Sequence, residues 1–68
     1  MITGTVRWFN NFKGFGLISP DHGGNDLYVH HTSINIPGIS TLREGQRVSF
    51  EVTTGYSGKE RANNIRLV

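Results

Sequence analysis

Two short segments, Phe15-Gly16-Leu17-Ile18 and Leu27-Tyr28-Val29-His30, stand on either side of Asp21-His22-Gly23-Gly24-Asn25, and this arrangement constrains the fold more than any other feature. Turn-forming residues between two strand-like runs specify a β-hairpin. A turn centred on His22-Gly23 places Phe15 opposite His30 and Leu17 opposite Tyr28. Alternate residues of a strand share a face, so Phe15, Leu17, Tyr28 and His30 gather on one surface of the hairpin. Gly14 and Gly16 remove side chains from the opposite face, where the sheet must bend tightly over a core.

A bare hairpin would not be stable, and the remainder of the chain supplies more strands. Nine glycines, two prolines and short apolar stretches between turn signals predict strands at residues 3–12, 15–20, 26–31, 46–54 and 60–67. The fourth is the cleanest: Val48, Phe50 and Val52 alternate with Ser49, Glu51 and Thr53, which directs the first set to the core and the second to water. Residues 32–45 form the one long connection, with a helical turn near Thr32-Ser33-Ile34 that Pro37 and Gly38 stop. The expected fold is all-β, a five-stranded antiparallel Greek-key barrel of the OB type, because closure removes most exposed strand edges. One domain spans residues 1–68. A chain this short buries only about 60% of its unfolded surface, and without cysteine it has no disulfide or thiolate-metal staple. No segment approaches the roughly 20 apolar residues of a membrane span, and residues 1–7 lack the pattern of a signal or transit peptide. A soluble, cytoplasmic protein is expected.

Seven Lys and Arg against five Asp and Glu give a formal charge of +2, a weak preference for anions. Placement is more informative, since Arg7 and Lys13 bracket Trp8-Phe9 and adjoin the Phe15 strand. Adjacent Trp8 and Phe9 must face opposite sides of a regular strand, which assigns Phe9 to the core and frees Trp8 for the aromatic surface. Flat π-faces accompanied by cations form a platform for single-stranded nucleic acid. Other chemistries find less support. There is no Cys nucleophile or G-x-S-x-G serine, and Asp21, Asp26, Glu44, Glu51 and Glu60 form no paired motif, so no enzyme is expected. Gly14-Phe15-Gly16 lacks the G-x-x-x-x-G-K-[ST] pattern and following helix of a phosphate loop. His22, His30 and His31 show no ligand spacing, and strand alternation sends His30 and His31 to opposite faces, so neither metal nor cofactor is expected. A small barrel used as a protein–protein interaction module is the rival reading, because exposed aromatics also serve peptides.

The ordered blocks Gly4-Thr5-Val6-Arg7-Trp8-Phe9-Asn10, Lys13-Gly14-Phe15-Gly16-Leu17-Ile18 and Asp26-Leu27-Tyr28-Val29-His30 resemble the bacterial cold-shock proteins, the second and third matching the two ribonucleoprotein motifs. Thr41-Leu42, Glu44-Gly45-Gln46, Val48-Ser49-Phe50 and Ala62-Asn63-Asn64-Ile65 extend the resemblance over nearly the whole chain. It implies a five-stranded barrel that binds single-stranded RNA or DNA, pyrimidine-rich, without catalysis; a monomer is expected before a dimer, which an uncovered strand or the Phe12 region would support. Carried over by position, Trp8, Phe15, Tyr28 and His30 stack on bases, while Arg7 and Lys13 contact the backbone or base edges. Asn10 and Asp26 hydrogen-bond base edges. Arg7 and Lys13 also suit plain solvated charges, and Asp26 equally suits a turn cap.

Departures from the family pattern are specific. Leu17, His31 and Ile39 stand where aromatics are usual, which predicts weaker but surviving contact at three faces. Ser57 replaces a loop cation, with Lys59 and Arg61 near enough to supply the charge. About one extra residue precedes Asn64-Ile65, which implies a bulge or a longer loop. Phe12 and Tyr56 are aromatics at positions usually not aromatic, and Phe12 at a strand end either extends the platform or is incidental. Because an unperturbed imidazole titrates near pH 6.5, His30 and His31 predict affinity that rises as pH falls.

Overall fold

The computed structural model describes residues 2–55 and 58–68, so Tyr56 and Ser57 lie outside the described residues. Five strands, β1 (Ile2–Asn10), β2 (Phe15–Pro20), β3 (Leu27–His30), β4 (Arg47–Thr54) and β5 (Glu60–Leu67), close into a barrel in the order β1-β2-β3-β5-β4. Four of the strand pairings are antiparallel. The fifth, which shuts the barrel between β3 and β5, is a parallel bridge from Tyr28 to Arg61. Just past β3 the parallel run continues as the Ile34–Ile65 bridge and a 2.7 Å bond from Asn35 N–H to the Ile65 carbonyl.

All five strands send apolar side chains inward. Val6, Ile18, Leu27, Val29, Val48, Phe50, Ala62 and Ile65 form the buried core, and Leu42 joins them from the long connection. Complete burial of such a side chain contributes about 1.5–3 kcal/mol, which makes this cluster the chief support of a chain with no cysteine cross-link. Phe9 and Ile34 pack against its rim.

The hairpin register is the expected one, Phe15 opposite His30 and Leu17 opposite Tyr28. Strand β1 is shorter than expected. The side-chain oxygen of Asn10 accepts from the N–H groups of Phe12 and Lys13, both at 2.9 Å, and the Gly14 N–H bonds the Asn10 carbonyl at 2.7 Å. These bonds fold residues 11–14 into a turn and leave Phe12 98% exposed. Gly14 is part of this turn rather than of the bending sheet: its φ is +76°, and a Cβ there would lie 2.5 Å from the His31 ring. Gly16 does occupy the crowded inner face, where a Cβ would come within 2.8 Å of the Phe9 Cα.

Two bulges depart from strict alternation. Val6 pairs with Ile18 and Trp8 with Leu17, so Arg7 is the extra residue of β1. In β5, Asn64 and Ile65 oppose the single residue Phe50, and Asn64 adopts φ 51°, a left-handed conformation that asparagine tolerates. The sequence predicts a bulge or a longer loop before Asn64-Ile65, and the bulge falls on Asn64 itself. Its side chain accepts from Asn35 Nδ2 at 2.8 Å and donates to Glu51 at 2.7 Å, tying β4, β5 and the long connection together. One assignment within β4 differs from expectation. Ser49 is only 5% exposed, because β4 is enclosed by β1 and β5 with Thr3 and Arg66 as its register neighbours. Val52 packs against the core as expected, half-buried where it also lines an open groove.

Candidate nucleic-acid interface

The outer face of β1, β2 and β3 carries a row of five rings. Trp8 meets Phe15 edge-on at 5.6 Å between centroids and 75° between planes. Phe15 and Tyr28 lie 6.1 Å apart and 22° from parallel, and Tyr28 and His30 6.5 Å and 26°. His31 ends the row, 4.4 Å from His30 and tilted by 37°. Trp8 and Tyr28 are 39% and 37% exposed, with Phe15, Leu17 and His30 between buried and open. Leu17 sits inside this surface, in register with Trp8 on one side and Tyr28 on the other.

Trp8 reaches this surface through the β1 bulge. Val6 is buried in the core, and a regular strand would turn Trp8 to the same side; the extra residue at Arg7 reverses that and sends both Arg7 and Trp8 outward. The pairing of His30 with His31 corrects the expectation that their rings diverge. Alternation ends at His30, where β3 gives way to a 3-10 turn over His31–Ser33, and the turn brings the second ring back onto the first. Gly14 provides the seat for His31, whose N–H also donates to the Gly14 carbonyl at 2.8 Å.

Thr32 orients His30, a role that sequence reasoning did not assign. The Thr32 N–H donates to His30 Nδ1 at 3.3 Å and the Thr32 hydroxyl lies 2.9 Å from the same nitrogen. With Nδ1 accepting, the neutral ring carries its proton on Nε2, available to a ligand. A Thr two residues past a strand-ending His is too common a pattern to have signalled this.

The polar candidates separate into two groups. Arg7 pairs with Asp26 at 3.4 Å, so each partly satisfies the other. The Asn10 side-chain oxygen is taken up by its turn, which leaves the amide donors for other partners. Among the described residues the only other ion pair joins Arg47 to Asp21, so Lys13, Lys59 and Arg61 have no carboxylate partner. Arg61 lies over the Tyr28 ring, its guanidinium carbon 5.6 Å from the centroid. Lys59 and Arg61 line an open groove of about 680 Å³ together with Asn25, Asp26 and Tyr28. Ile39 stands exposed in the Ile36–Ile39 turn of the long connection.

Arg47 and Asp21 act as a clamp on the barrel rather than as part of the row. Both guanidinium nitrogens reach the carboxylate, at 2.6 and 2.5 Å, the Thr3 hydroxyl donates to it at 2.7 Å, and Arg47 also donates to Thr5 at 3.0 Å. The Arg47 hydrogen bond, with help from Thr3, holds the Asp21 carboxyl far below the usual carboxylate range, and Asp21 in turn raises Arg47.

Comparison with known proteins agrees with this geometry. The family model of the 'Cold-shock' DNA-binding domain matches residues 2–68. The chain is 54% identical over 68 residues to the cold shock-like protein CspA of Stigmatella aurantiaca, covering 100% of this chain and 98% of that one. It is 52% identical over 66 residues to the cold shock protein CspV of Vibrio cholerae, covering 97% and 94%, and equally to the cold shock-like protein CspE of Escherichia coli K12, covering 97% and 96%. With the family model matched from Ile2 to the last residue and a five-stranded barrel beneath it, the chain belongs to the cold-shock DNA-binding domain family.

Proposed function

We propose that this protein binds single-stranded RNA or DNA by laying bases on Trp8, Phe15, Tyr28, His30 and His31, with Leu17 as an apolar contact among them. The observation that carries the reading is the row itself: three strands bring rings to one outer face at 5.6–6.5 Å spacing, with Phe15, Tyr28 and His30 close to parallel. A chain that must bury its apolar groups has no folding reason to leave Trp8 and Tyr28 more than a third exposed on either side of Leu17. Each base offers a π-face, so stacking tolerates many sequences and contributes about 1–3 kcal/mol per base. Lys13 and Lys59 supply charge for the phosphates.

A duplex keeps its bases stacked on one another and cannot present those faces. Binding therefore pulls melted strands out of the folding equilibrium by mass action and holds RNA open without ATP. The family resemblance favours pyrimidine-rich ligands, and a monomer is proposed over a dimer.

Single-strand and duplex affinities at two salt concentrations, with wild type beside Phe15→Ala and Trp8→Ala, test the reading. Expected are a clear preference for the single strand, weaker binding by both variants, and log affinity falling with log salt by about 0.7 per phosphate neutralised. Equal affinity for duplex, or salt-independent binding typical of an apolar peptide surface, would refute it.

A further inference from the structure

The place of Arg61 in this surface differs from that of the other free cations. It is the register partner of Tyr28 in the parallel bridge that closes the barrel, so the seam of the fold sets the two side by side. Its guanidinium rests over the Tyr28 ring, and Tyr28 is the middle member of the near-parallel trio with Phe15 and His30. It belongs to neither ion pair among the described residues, so nothing charged holds it elsewhere.

We propose that Arg61 is a base-clamping residue: the guanidinium that covers Tyr28 in the free protein closes over the base that stacks there, holding it between phenol and guanidinium. This rests on the stacking reading above and assigns Arg61 a role other than phosphate contact. A base on Tyr28 gains more than an exposed cation over the same ring, so the base displaces the guanidinium from the ring. Two stacked layers of about 3.4 Å each need roughly 7 Å. The guanidinium carbon, now 5.6 Å from the ring centroid, therefore has to lift by only about 1–2 Å. The open groove beside it leaves room for that movement. Once lifted, the planar guanidinium meets the outer π-face of the base, which arginine covers well and the compact ammonium of lysine does not. Lys59, which lines the same groove, is left to serve the phosphates.

The test compares wild type, Arg61→Lys and Arg61→Ala with hexathymidylate and with six versions of it, each abasic at one position, after checking that thermal midpoints match. The clamp predicts that Arg61→Lys binds about two- to fivefold more weakly than wild type, the equivalent of one exposed cation–π contact, with an unchanged salt slope. It also predicts that one abasic position, costly in wild type, costs less in both variants. Full affinity in Arg61→Lys would show that only charge matters and overturn the clamp. Tighter binding by Arg61→Ala would make the guanidinium an obstacle, and unchanged abasic costs at all positions would separate it from the base; either also overturns it. Failure of wild type to prefer the single strand over duplex, which needs no variant to detect, would remove the stacking reading and the clamp together.

Discussion

Replacing Leu17 by phenylalanine should tighten single-strand binding. Leu17 lies half-buried on the outer side of β2, in register with Trp8 and Tyr28, and its side chain borders the open groove. A ring there joins the faces already aligned on Trp8, Phe15 and Tyr28. An aromatic face contributes about 1–3 kcal/mol per base relative to alanine. Leucine already offers apolar contact, so the gain over leucine should fall near the lower end, about 1 kcal/mol or roughly fivefold in affinity. Because the added carbon atoms face outward, stability should change by no more than about 0.5 kcal/mol. Fluorescence anisotropy of a labelled thymine-rich hexamer measures the effect at fixed ionic strength, with Leu17→Ala as the opposite arm. If Leu17→Phe keeps the wild-type thermal midpoint yet binds no tighter, the strand does not pass over position 17. The path inferred from the ring row would then be wrong at its centre.

Three further outcomes follow from the same geometry. Asp21→Asn should lower the denaturant midpoint at pH 7; because the folded-state carboxyl is depressed below its ordinary value of 3.8, the wild-type advantage holds above that pH and is lost progressively below it, and a gap that stayed constant down to pH 2 would contradict the clamp. Gly16→Ala places a Cβ 2.8 Å from the Phe9 Cα, where backbone cannot yield cheaply, and should destabilise by about 1–3 kcal/mol, seen as a fall of roughly 4–8 °C in midpoint per kcal/mol; an unchanged midpoint would show that β1 can move off β2. His30→Ala should weaken binding of a thymine-rich strand, followed by Trp8 fluorescence, because it removes the ring that lies near-parallel to Tyr28 and with it about 1–3 kcal/mol for one base; unchanged affinity would take His30 out of the stacking surface.

What could be read from the sequence follows from which interactions are periodic. The β2–β3 register was legible because the turn residues fix one point and alternation fixes the remainder, and Phe15 does face His30. Alternation in β4 was legible for Val48 and Phe50 but not for Ser49, since enclosure by β1 and β5 depends on barrel closure, which no local pattern encodes. The end of β1 was misjudged by two residues because Asn10 spends its side chain on backbone N–H groups, and Asn followed by Asn, Phe and Lys is a weak turn signal. Alternation also failed at His30 and His31, where a 3-10 turn replaces the strand. Arg61 was visible only as nearby charge; its place over Tyr28 depends on the parallel seam between residues far apart in the chain.

The β1 bulge joins folding to function more directly than any single aromatic. Val6 and Trp8 are two apart, and each has a strong claim to one side: Val6 is 1% exposed in the core, while Trp8 edges onto Phe15 outside. A regular β1 would satisfy only one of them, either opening the core at Val6 or burying the indole where no space is left beside Gly16 and Phe9. A bulge at Arg7 resolves the conflict by breaking the ladder once, and the same break points Arg7 outward to meet Asp26. Deleting Arg7 tests this, because it makes Val6 and Trp8 neighbours. The ladder then closes one-to-one, Val6 on Ile18 and Trp8 on Leu17, and plain alternation keeps Val6 inward and Trp8 outward. Arg7→Ala keeps the bulge and should leave fold and surface nearly intact, losing only the exposed Arg7–Asp26 pair, worth about 0–1 kcal/mol. The deletion should therefore still fold and still show a Trp8 fluorescence response to single strands; a folded deletion variant whose Trp8 no longer responds would show that the bulge shapes the surface by more than the side each residue faces.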